Sequence, residues 1–327
     1  MDNTKPLSLL VREVRHEAEG VVSVAFVDST GADLPKWHPG AHLEITLPSG
    51  LVRQYSLWSN PDDPQHYRVG VLREDLGRGG SKEIHDTGLV GRTLTVTGPR
   101  NRFELVDAPR YIFIAGGIGV TPLVPMLHRV ARRSPAPDWS FHYGGRSRKS
   151  MAFIGVVDRL AQTADDSRVS FVAEDDDGIL DLRGILSDAD EQTAIYCCGP
   201  NGLISAVEKL CEELGLPGLH VERFGAAPVD ESVVSAENTQ FEVELAKTGT
   251  TVSVGSDESI LESVRTVVAG VIPASCEEGF CGTCEVRILA GKADHRDQIL
   301  TQAEQDANES MFICVSRAKS PRIVLDL

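Results

Sequence analysis

The sequence predicts a multidomain α/β plus β architecture: an antiparallel β-barrel, a doubly wound parallel sheet, and a small third unit that carries a cysteine loop. Three observations support this prediction. Short segments of the first hundred residues alternate between apolar and polar side chains. A continuous apolar stretch at 111–115 runs into a cluster of glycines. Three of the 7 cysteines lie within residues 276–284.

The alternating segments of the first hundred residues have the pattern of half-buried strands, and clusters of Pro, Gly and Asp separate them. Several short strands at this spacing are typical of a small antiparallel barrel. The predicted strands are 21–27, 42–47, 51–58, 67–73 and 93–98.

The pattern changes at Tyr111. The apolar strand 111–115 is followed by the glycines and then by a segment with helical character. Further buried strands are predicted at 139–145, 168–174 and 194–199, with helix-length segments between them. This order is typical of a doubly wound parallel sheet, which we expect to end near 220–226.

The third unit is predicted to follow a linker. Residues 227–240 are rich in small and acidic residues and lack helical periodicity, as linkers do. A hairpin, a helix and the cysteine loop follow from Phe241 onward. The predicted domain boundaries are 1–106 for the barrel, 107–226 for the parallel sheet, 227–237 for the linker and 238–327 for the third unit.

Composition narrows the possible functions. The formal net charge of −16 argues against a nucleic-acid binder, which normally presents a basic face. The amino terminus lacks the pattern of a signal peptide. The sequence also contains no run of eighteen apolar residues, which would indicate a membrane span. We therefore expect a cytoplasmic protein that binds neither nucleic acid nor a membrane. Clustered cysteines in a reducing compartment indicate metal or redox chemistry.

The cysteines Cys276, Cys281, Cys284 and Cys314 follow the pattern C-x4-C-x2-C…C. This is the spacing of plant-type 2Fe-2S proteins, in which three close cysteines surround the cluster and the fourth comes from elsewhere. The alternative is a four-cysteine zinc site, which usually has two C-x2-4-C pairs. The second pair is missing here, and the pattern favours an iron–sulfur cluster. The other cysteines, except Cys198, are interpreted as core residues.

Three further segments suggest a nucleotide site. The order strand, Gly116-Gly117-Ile118-Gly119, helix places backbone amides where a pyrophosphate could bind. The glycine pattern is imperfect because Pro122 stands where a glycine is expected, and a tight turn is the alternative. The barrel segments Arg53–Leu57 and Gly77–Ser81 offer a tyrosine ring, hydroxyls and amides, although each alone also fits an ordinary strand or loop.

The combined order of RQYSL, GRGGS, AGGIGVTP, YCCGPNG and HVERF resembles the ferredoxin–NADP reductase superfamily. With the cysteine unit at the carboxyl end, the chain resembles its phthalate dioxygenase reductase branch, which includes vanillate demethylase reductases. The resemblance covers essentially the whole chain. It implies a flavin-binding barrel, an NAD-binding α/β domain and a β-grasp 2Fe-2S ferredoxin domain.

The resemblance also implies a flavin site, with FMN in this branch and FAD as the alternative. The Ser56 hydroxyl would lie near the flavin nitrogen that accepts hydride, and Phe224 would pack on the flavin face. The implied flavin-binding residues are Arg53, Gln54, Tyr55, Ser56, Val71, Arg73, Gly79, Gly80, Ser81 and Phe224.

The nicotinamide site is implied in the same way, with Ser56, Thr121 and Cys198 nearest the chemistry. Arg146–Lys149 follow the second sheet strand, where cations can accept a 2′-phosphate, but they also fit a solvated basic turn. The branch uses NADH, which we expect here, with NADPH as the alternative. The implied nucleotide-binding residues are Gly116, Gly117, Gly119, Thr121, Arg146, Ser147, Cys198, Gly199 and Pro200.

The implied function is electron transfer from NADH through FMN and a 2Fe-2S cluster to a Rieske non-haem iron oxygenase. NADH delivers two electrons together and the cluster accepts one at a time, so the flavin must stand between them. The acidic residues Glu277, Glu278 and Glu285 suggest a docking face for the oxygenase, with a solvated acidic face that binds no partner as the alternative. The alternatives are a free-standing NAD(P)H flavin reductase and a zinc-stabilised binding module without redox function.

Overall fold

The computed structural model describes residues 5–75, 77–135, 137–162, 168–225, 238–268, 272, 274, 277, 279, 282–297 and 299–327. The chain forms two compact units, Met1–Glu222 and Arg223–Leu327. The linker predicted at 227–237 lies outside the described residues.

The first unit begins with a six-stranded antiparallel sheet in the order β4-β3-β6-β1-β2-β5. A bridge between Leu57 and Val69 joins the two ends of this sheet, which therefore curves into a barrel. Its elements are β1 (Leu7–Ala18), β2 (Val21–Val27), β3 (Ala41–Thr46), β4 (Val52–Ser56), β5 (Tyr67–Leu72), α1 (Gly80–Asp86) and β6 (Thr93–Asn101).

The apolar residues that alternate along the barrel strands have their side chains buried inside the barrel. Val69 and Val71 on β5 are fully buried, as are Leu43 on β3 and Val96 on β6. These side chains belong to one apolar core inside the barrel. Successive residues of a strand point to opposite faces, so the residue between Val69 and Val71 faces away from this core.

The second part of the first unit is a five-stranded parallel sheet in the order β11-β10-β7-β8-β9. The strand order reverses between β7 and β10, which creates a crevice at the carboxyl ends of these strands. The elements are β7 (Arg110–Gly116), α2 (Val120–Ala131), β8 (Asp138–Gly145), α3 (Ile154–Ala161), β9 (Arg168–Ala173), α4 (Glu174–Asp177), α5 (Leu182–Leu186), β10 (Thr193–Cys198), α6 (Asn201–Leu214) and β11 (Leu219–Glu222).

The barrel and the parallel sheet share an apolar core. Ala18 and Val21 of the barrel are buried in the same cluster as Phe113 and Tyr196 of the sheet. A backbone hydrogen bond of 2.8 Å from the Glu19 amide to the Lys149 carbonyl also joins them. The two parts therefore pack as one body, which restricts movement of one against the other.

The second unit contains a five-stranded sheet in the order β13-β12-β18-β14-β16, and β15 pairs with β17 beside it. The parallel pairing of β12 with β18 and the helix α7 after the first hairpin form a β-grasp arrangement. The elements are β12 (Phe241–Leu245), β13 (Thr250–Val254), α7 (Ile260–Arg265), β14 (Glu285–Ala290), β15 (Ala293–Asp294), α8 (Gln302–Ala307), β16 (Ser310–Phe312), β17 (Arg317–Ala318) and β18 (Arg322–Leu325).

Local sequence explains the helix of this unit. Ser259 caps α7 by accepting a hydrogen bond from the Glu262 amide, and the Glu262 side chain accepts from the Ser259 amide in return. This capping box satisfies two backbone donors at the start of the helix. In the described part of the chain, no helix is long and apolar enough to cross a membrane.

Candidate redox site

The strand β4 carries the first predicted group of flavin residues. Ser56 is buried at its end, and Tyr55 is half-buried against the barrel core. Burial raises the pKa of the Tyr55 phenol, so the ring is a neutral hydrogen-bonding group at physiological pH. Gln54 lies between Arg53 and Tyr55 and is also half-buried.

The turn before α1 lies next to Arg53. The Arg53 guanidinium donates hydrogen bonds to the carbonyl of Val52, at 2.7 Å, and of Arg78, at 2.6 Å. A β-carbon added at Gly80 would lie 2.7 Å from Arg53 Nε, so the Arg53 side chain occupies the space that glycine leaves open. The structure therefore brings together Arg53 and the segment Gly79–Ser81, which are two of the predicted segments.

Val71 and Arg73 are less open to a ligand than the sequence suggested. Val71 is fully buried, with its side chain in the barrel core, and its carbonyl lies 3.1 Å from His85 Nε2. Arg73 donates to the carboxylates of Asp75 and Asp86, and these hydrogen bonds raise its pKa. A phosphate at Arg73 would therefore compete with two carboxylates that already bind the guanidinium.

The glycine turn lies in the crevice where the sheet order reverses. Residues Gly117–Gly119 form a single 3-10 turn between β7 and α2. A β-carbon at Gly119 would overlap the Cys198 carbonyl, and one at Gly199 would lie 2.8 Å from Gly116 Cα. The structure thus brings Gly116 and Gly119 against the segment Cys198–Pro200, at the carboxyl ends of adjacent strands.

Thr121 lies in the first turn of α2 and is only 1% exposed. Its hydroxyl donates to the Ile118 carbonyl at 2.9 Å, which orients the side chain within the turn. Its methyl group faces the barrel strand β5, as a β-carbon placed on Gly70 would lie 2.8 Å from Thr121 Cγ2.

A hydrogen bond joins the end of the barrel strand β4 to the end of the parallel sheet. The Ser56 hydroxyl donates to Glu222 Oε2 at 3.1 Å. Burial raises the pKa of the Glu222 carboxyl to about 8, and the hydrogen bond from Ser56 opposes this rise. At neutral pH the carboxyl therefore carries a proton in most molecules. Glu222 is half-buried, and it was not among the site residues predicted from the sequence. Its position at the end of a sheet strand is the signal that could have indicated it.

Cys198 lies beside this pair. It is opposite Glu222 in the pairing of β10 with β11, and it is fully buried. Burial raises the pKa of its thiol, and the neighbouring charges of Glu222 and Cys197 raise it further. Cys198 is therefore a neutral thiol, which can pack against a ligand or form weak hydrogen bonds but does not act as a nucleophile.

The remaining predicted nucleotide residues lie at the end of β8. Ser147 and Ser150 cap each other through their side chains and amides, and Arg146 is exposed. The Arg148 guanidinium lies 5.4 Å from the centre of the Phe171 ring. This basic turn is thus ordered by its own contacts. Phe224 is 40% exposed and belongs to the second compact unit.

The cysteine site is described in part. Cys284 and Cys314 are buried in the second unit, and the Cys284 carbonyl accepts a hydrogen bond of 3.3 Å from the Ile313 amide. This bond brings the two cysteine-bearing segments side by side. Cys276 and Cys281 lie outside the described residues, as does Glu278.

The described part of the cysteine loop contains three residues with positive φ. Gly279 and Gly282 have φ values of 74° and 77°, and Glu277 between the cysteines has φ 56°. The positive φ of Gly279 and Gly282 is readily adopted only by glycine. Arg265 at the end of α7 forms an ion pair of 2.8 Å with Glu277 and so holds the loop to the helix. Two buried thiols beside such a loop fit an iron–sulfur cluster.

Comparisons with known proteins agree with this geometry. An oxidoreductase NAD-binding domain model matches residues 113–209, and a 2Fe-2S iron–sulfur cluster binding domain model matches residues 243–319. The second span contains all four predicted cluster cysteines. This match favours the iron–sulfur interpretation over the zinc alternative.

Relatives of known function extend over the whole chain. Vanillate O-demethylase oxidoreductase from Pseudomonas sp. (strain HR199 / DSM 7063) is 38% identical over 98% of this chain and 100% of its own length. The solved structure of a phthalate dioxygenase reductase, described as modular for electron transfer from pyridine nucleotides to [2Fe-2S], is 33% identical with a TM-score of 0.70. The match covers 98% of both chains.

A larger protein contains the same architecture. An intact type IV self-sufficient cytochrome P450 monooxygenase is 37% identical with a TM-score of 0.85, and the match covers 98% of this chain. The chain spans only 41% of that monooxygenase.

These matches define a class of proteins: modular oxidoreductases with an NAD-binding domain and a 2Fe-2S domain in one chain. The chain belongs to the family of vanillate O-demethylase oxidoreductase and phthalate dioxygenase reductase. The predicted family, fold class and oxidoreductase function are confirmed.

Proposed function

We propose that the chain is the reductase of a Rieske-type oxygenase system, which takes hydride from NADH and passes single electrons through FMN and the 2Fe-2S cluster to the oxygenase. The relatives named for a demethylase and a dioxygenase support an oxygenase as the electron acceptor. The site of this reaction is proposed to lie in the cytoplasm, where NADH is available.

The observation that carries the proposal is the hydrogen bond from Ser56 to Glu222. Ser56 ends the strand proposed to hold the flavin, and Glu222 lies beside Cys198 at the nucleotide crevice. A nicotinamide in the crevice would therefore lie against a flavin on β4. Such positioning, without an added acid or base, is what hydride transfer requires of the protein.

The flavin is proposed to be FMN, held through Arg53, Tyr55 and Ser56 at the ring and through Gly79–Ser81 at the phosphate. The turn offers backbone amides next to the Arg53 guanidinium, and such amides and cations are suited to a terminal phosphate. A bound flavin supplies a carrier that accepts two electrons together and releases them one at a time. Gln54, Val71 and Arg73 are proposed to line the same pocket.

The proposed electron donor is NADH. Gly116, Gly117 and Gly119 would bind its pyrophosphate, and Thr121 with Cys198, Gly199 and Pro200 would contact the nicotinamide. The basic turn at Arg146–Lys149 is proposed to be a solvated turn and not a 2′-phosphate site, because Ser147 bonds to Ser150 and Arg148 packs on Phe171. We expect a higher kcat/KM for NADH than for NADPH. A preference for NADPH would assign a 2′-phosphate site to Arg146 or its neighbours.

The cluster is proposed to be held by Cys276, Cys281, Cys284 and Cys314, and the surface around it to receive the oxygenase. Glu277 and Glu285 are exposed there, although the Arg265 guanidinium partly neutralises Glu277. An acidic surface favours a partner with a basic patch. The domain boundaries 1–106, 107–226 and 238–327 are proposed for the three functional parts.

Replacing one cluster cysteine tests the order of electron transfer. We expect Cys284→Ser to leave flavin reduction by NADH at the wild-type rate and to abolish reduction of cytochrome c, because only the step through the cluster is lost. Rapid mixing under anaerobic conditions measures the first rate, and a steady-state assay measures the second. Cys211→Ser, which changes a buried cysteine of α6 that belongs neither to the cluster pattern nor to the predicted nucleotide residues, is the control. Cytochrome c reduction at the wild-type rate in Cys284→Ser would contradict the proposal.

A further inference from the structure

The barrel contacts the nucleotide-binding part of the first unit at Gly70, in the middle of β5. Its neighbours Val69 and Val71 point into the barrel core, so Gly70 faces the opposite side. That side is covered by Thr121 at the start of α2 and by Phe153 just before α3. Gly70 does not have a positive φ, so its backbone conformation does not require glycine.

The contact at Gly70 has no space for a side chain. A β-carbon there would lie 2.8 Å from Thr121 Cγ2 and 3.1 Å from Phe153 Cε2. Thr121 cannot rotate away cheaply, because it is β-branched and its hydroxyl is bonded to the Ile118 carbonyl. The glycine is therefore explained by close approach of two parts of the molecule.

Phe153 adds a second, independent observation. Its φ of 62° is in the left-handed region, which is unusual and strained for a bulky residue. Its ring packs against the Trp58 ring of the barrel with centroids 4.3 Å apart. Backbone strain of this kind persists only where the surrounding contacts hold it, and it is concentrated at functional sites.

The contact of Gly70 with Thr121 and Phe153 lies between the proposed flavin pocket and the proposed nicotinamide site. Thr121 belongs to the proposed nicotinamide site, and Val71 next to Gly70 belongs to the proposed flavin pocket. We propose that Gly70 is a positioning residue: its missing side chain lets β5 rest directly on Thr121 and Phe153, and this contact sets the separation of flavin and nicotinamide. The inference rests on the proposed function, in which hydride leaves NADH with its electron pair and NAD⁺ is released.

The test compares Gly70→Ala and Gly70→Val with the control Gly88→Ala in holoprotein. Gly88 is a suitable control because a β-carbon there meets no atom within 4 Å and its φ is not positive. We expect flavin reduction by NADH to slow roughly tenfold in Gly70→Ala and on the order of a hundredfold in Gly70→Val, because small misplacement of reacting groups is costly. Bound FMN per chain should stay at the wild-type level in all three variants.

A readout independent of activity follows from the geometry at Phe153. The amides of Val156 and Val157 donate to the Phe153 carbonyl at 2.9 and 3.1 Å. If the added side chain displaces Phe153, hydrogen exchange at these two amides should become faster in Gly70→Val but not in Gly88→Ala.

A double-mutant cycle separates positioning from general destabilisation. Thr121→Ser removes the methyl group that the new β-carbon would meet and keeps the hydroxyl. Gly70→Ala should therefore slow flavin reduction by a smaller factor in the Thr121→Ser background than in the wild-type background. The inference would be overturned if both Gly70 variants reduced flavin and exchanged the Val156 and Val157 amides at wild-type rates. It would also be overturned if the effects of Gly70→Ala and Thr121→Ser on flavin reduction were additive. Wild-type protein that fails to reduce flavin with NADH would instead overturn the proposed function.

Discussion

Glu222 links the barrel to the crevice of the parallel sheet through a hydrogen bond, and its carboxyl has a raised pKa. Its carboxyl accepts from Ser56 at 3.1 Å and lies opposite Cys198 in the sheet. Burial, which raises its pKa to about 8, keeps a proton on the carboxyl in the neutral range. A neutral carboxyl beside a neutral thiol leaves this end of the crevice without a fixed negative charge, which suits an approaching dinucleotide.

The raised pKa predicts a specific pH dependence of stability. The native state holds a proton that the unfolded state releases above about pH 4.5, so this contribution to stability is complete at lower pH and is lost as pH rises through about 8. Glu222→Gln removes the titration and keeps an oxygen that accepts from Ser56. The variant should therefore lose less stability than wild type between about pH 5 and pH 9.

Denaturant unfolding of both proteins across this range measures the difference. Glu212→Gln, at an exposed carboxyl of α6, is the matched control and should follow wild type. Parallel stability curves for wild type and Glu222→Gln would contradict the assignment of a raised pKa to Glu222.

At the scale of elements, the crevice depends on how closely the turn before α2 approaches the end of β10. Gly119 touches the Cys198 carbonyl, and Gly116 touches Gly199. These contacts are between backbones, which cannot move aside as a flexible side chain can. The glycines therefore join two strands at the point where the sheet order reverses.

Gly119→Ala should be strongly destabilising and should abolish nucleotide binding, because its β-carbon would overlap the Cys198 backbone. Overpacking of this kind costs typically about 1–3 kcal/mol or more. Gly202→Ala is the control: its β-carbon meets no atom within 4 Å, and alanine in α6 should be neutral or stabilising by up to about 1 kcal/mol. Thermal unfolding and NADH binding measure both effects. Wild-type binding by Gly119→Ala would exclude the close contact.

Most elements were predictable because their patterns are local. The strand predicted at 21–27 is β2 with the same bounds, and the helix predicted after the glycines is α2. The strand β1 was missed, because from Arg12 onward its sequence is mainly polar and its burial is irregular. Its position is set by pairing with β2 and β6 rather than by its own alternation.

Candidate site residues were predictable only where they belong to a recognisable sequence motif. The glycine turn, Ser56 and the segment Cys198–Pro200 were predicted, and the structure brings them to one crevice. Gly70 was missed because a lone glycine in a strand has no pattern that reveals what it approaches. The hydrogen bond of Glu222 with Ser56 and the bond of Arg73 with Asp86 were missed because each joins residues distant in sequence.

At the scale of the whole molecule, the first unit forms the part that receives hydride and the second the part that holds the cluster. Ala18 and Val21 of the barrel are in the core of the parallel-sheet part, so the barrel and the crevice of the parallel sheet, which we propose bind flavin and nicotinamide, are fixed to each other. Fixing these two parts suits hydride transfer, which is sensitive to small displacements. The order of cofactors follows from electron number, since NADH releases two electrons and the cluster accepts one.

The most direct measurement is rapid anaerobic mixing of pure holoprotein with NADH, followed by optical spectra and by electron paramagnetic resonance of frozen samples. The account predicts that flavin absorbance is lost first and that the signal of a reduced 2Fe-2S cluster then appears, in protein that contains about two irons per chain. Loss of flavin absorbance without any cluster signal, or a cluster signal that precedes it, would contradict the proposed path of electrons.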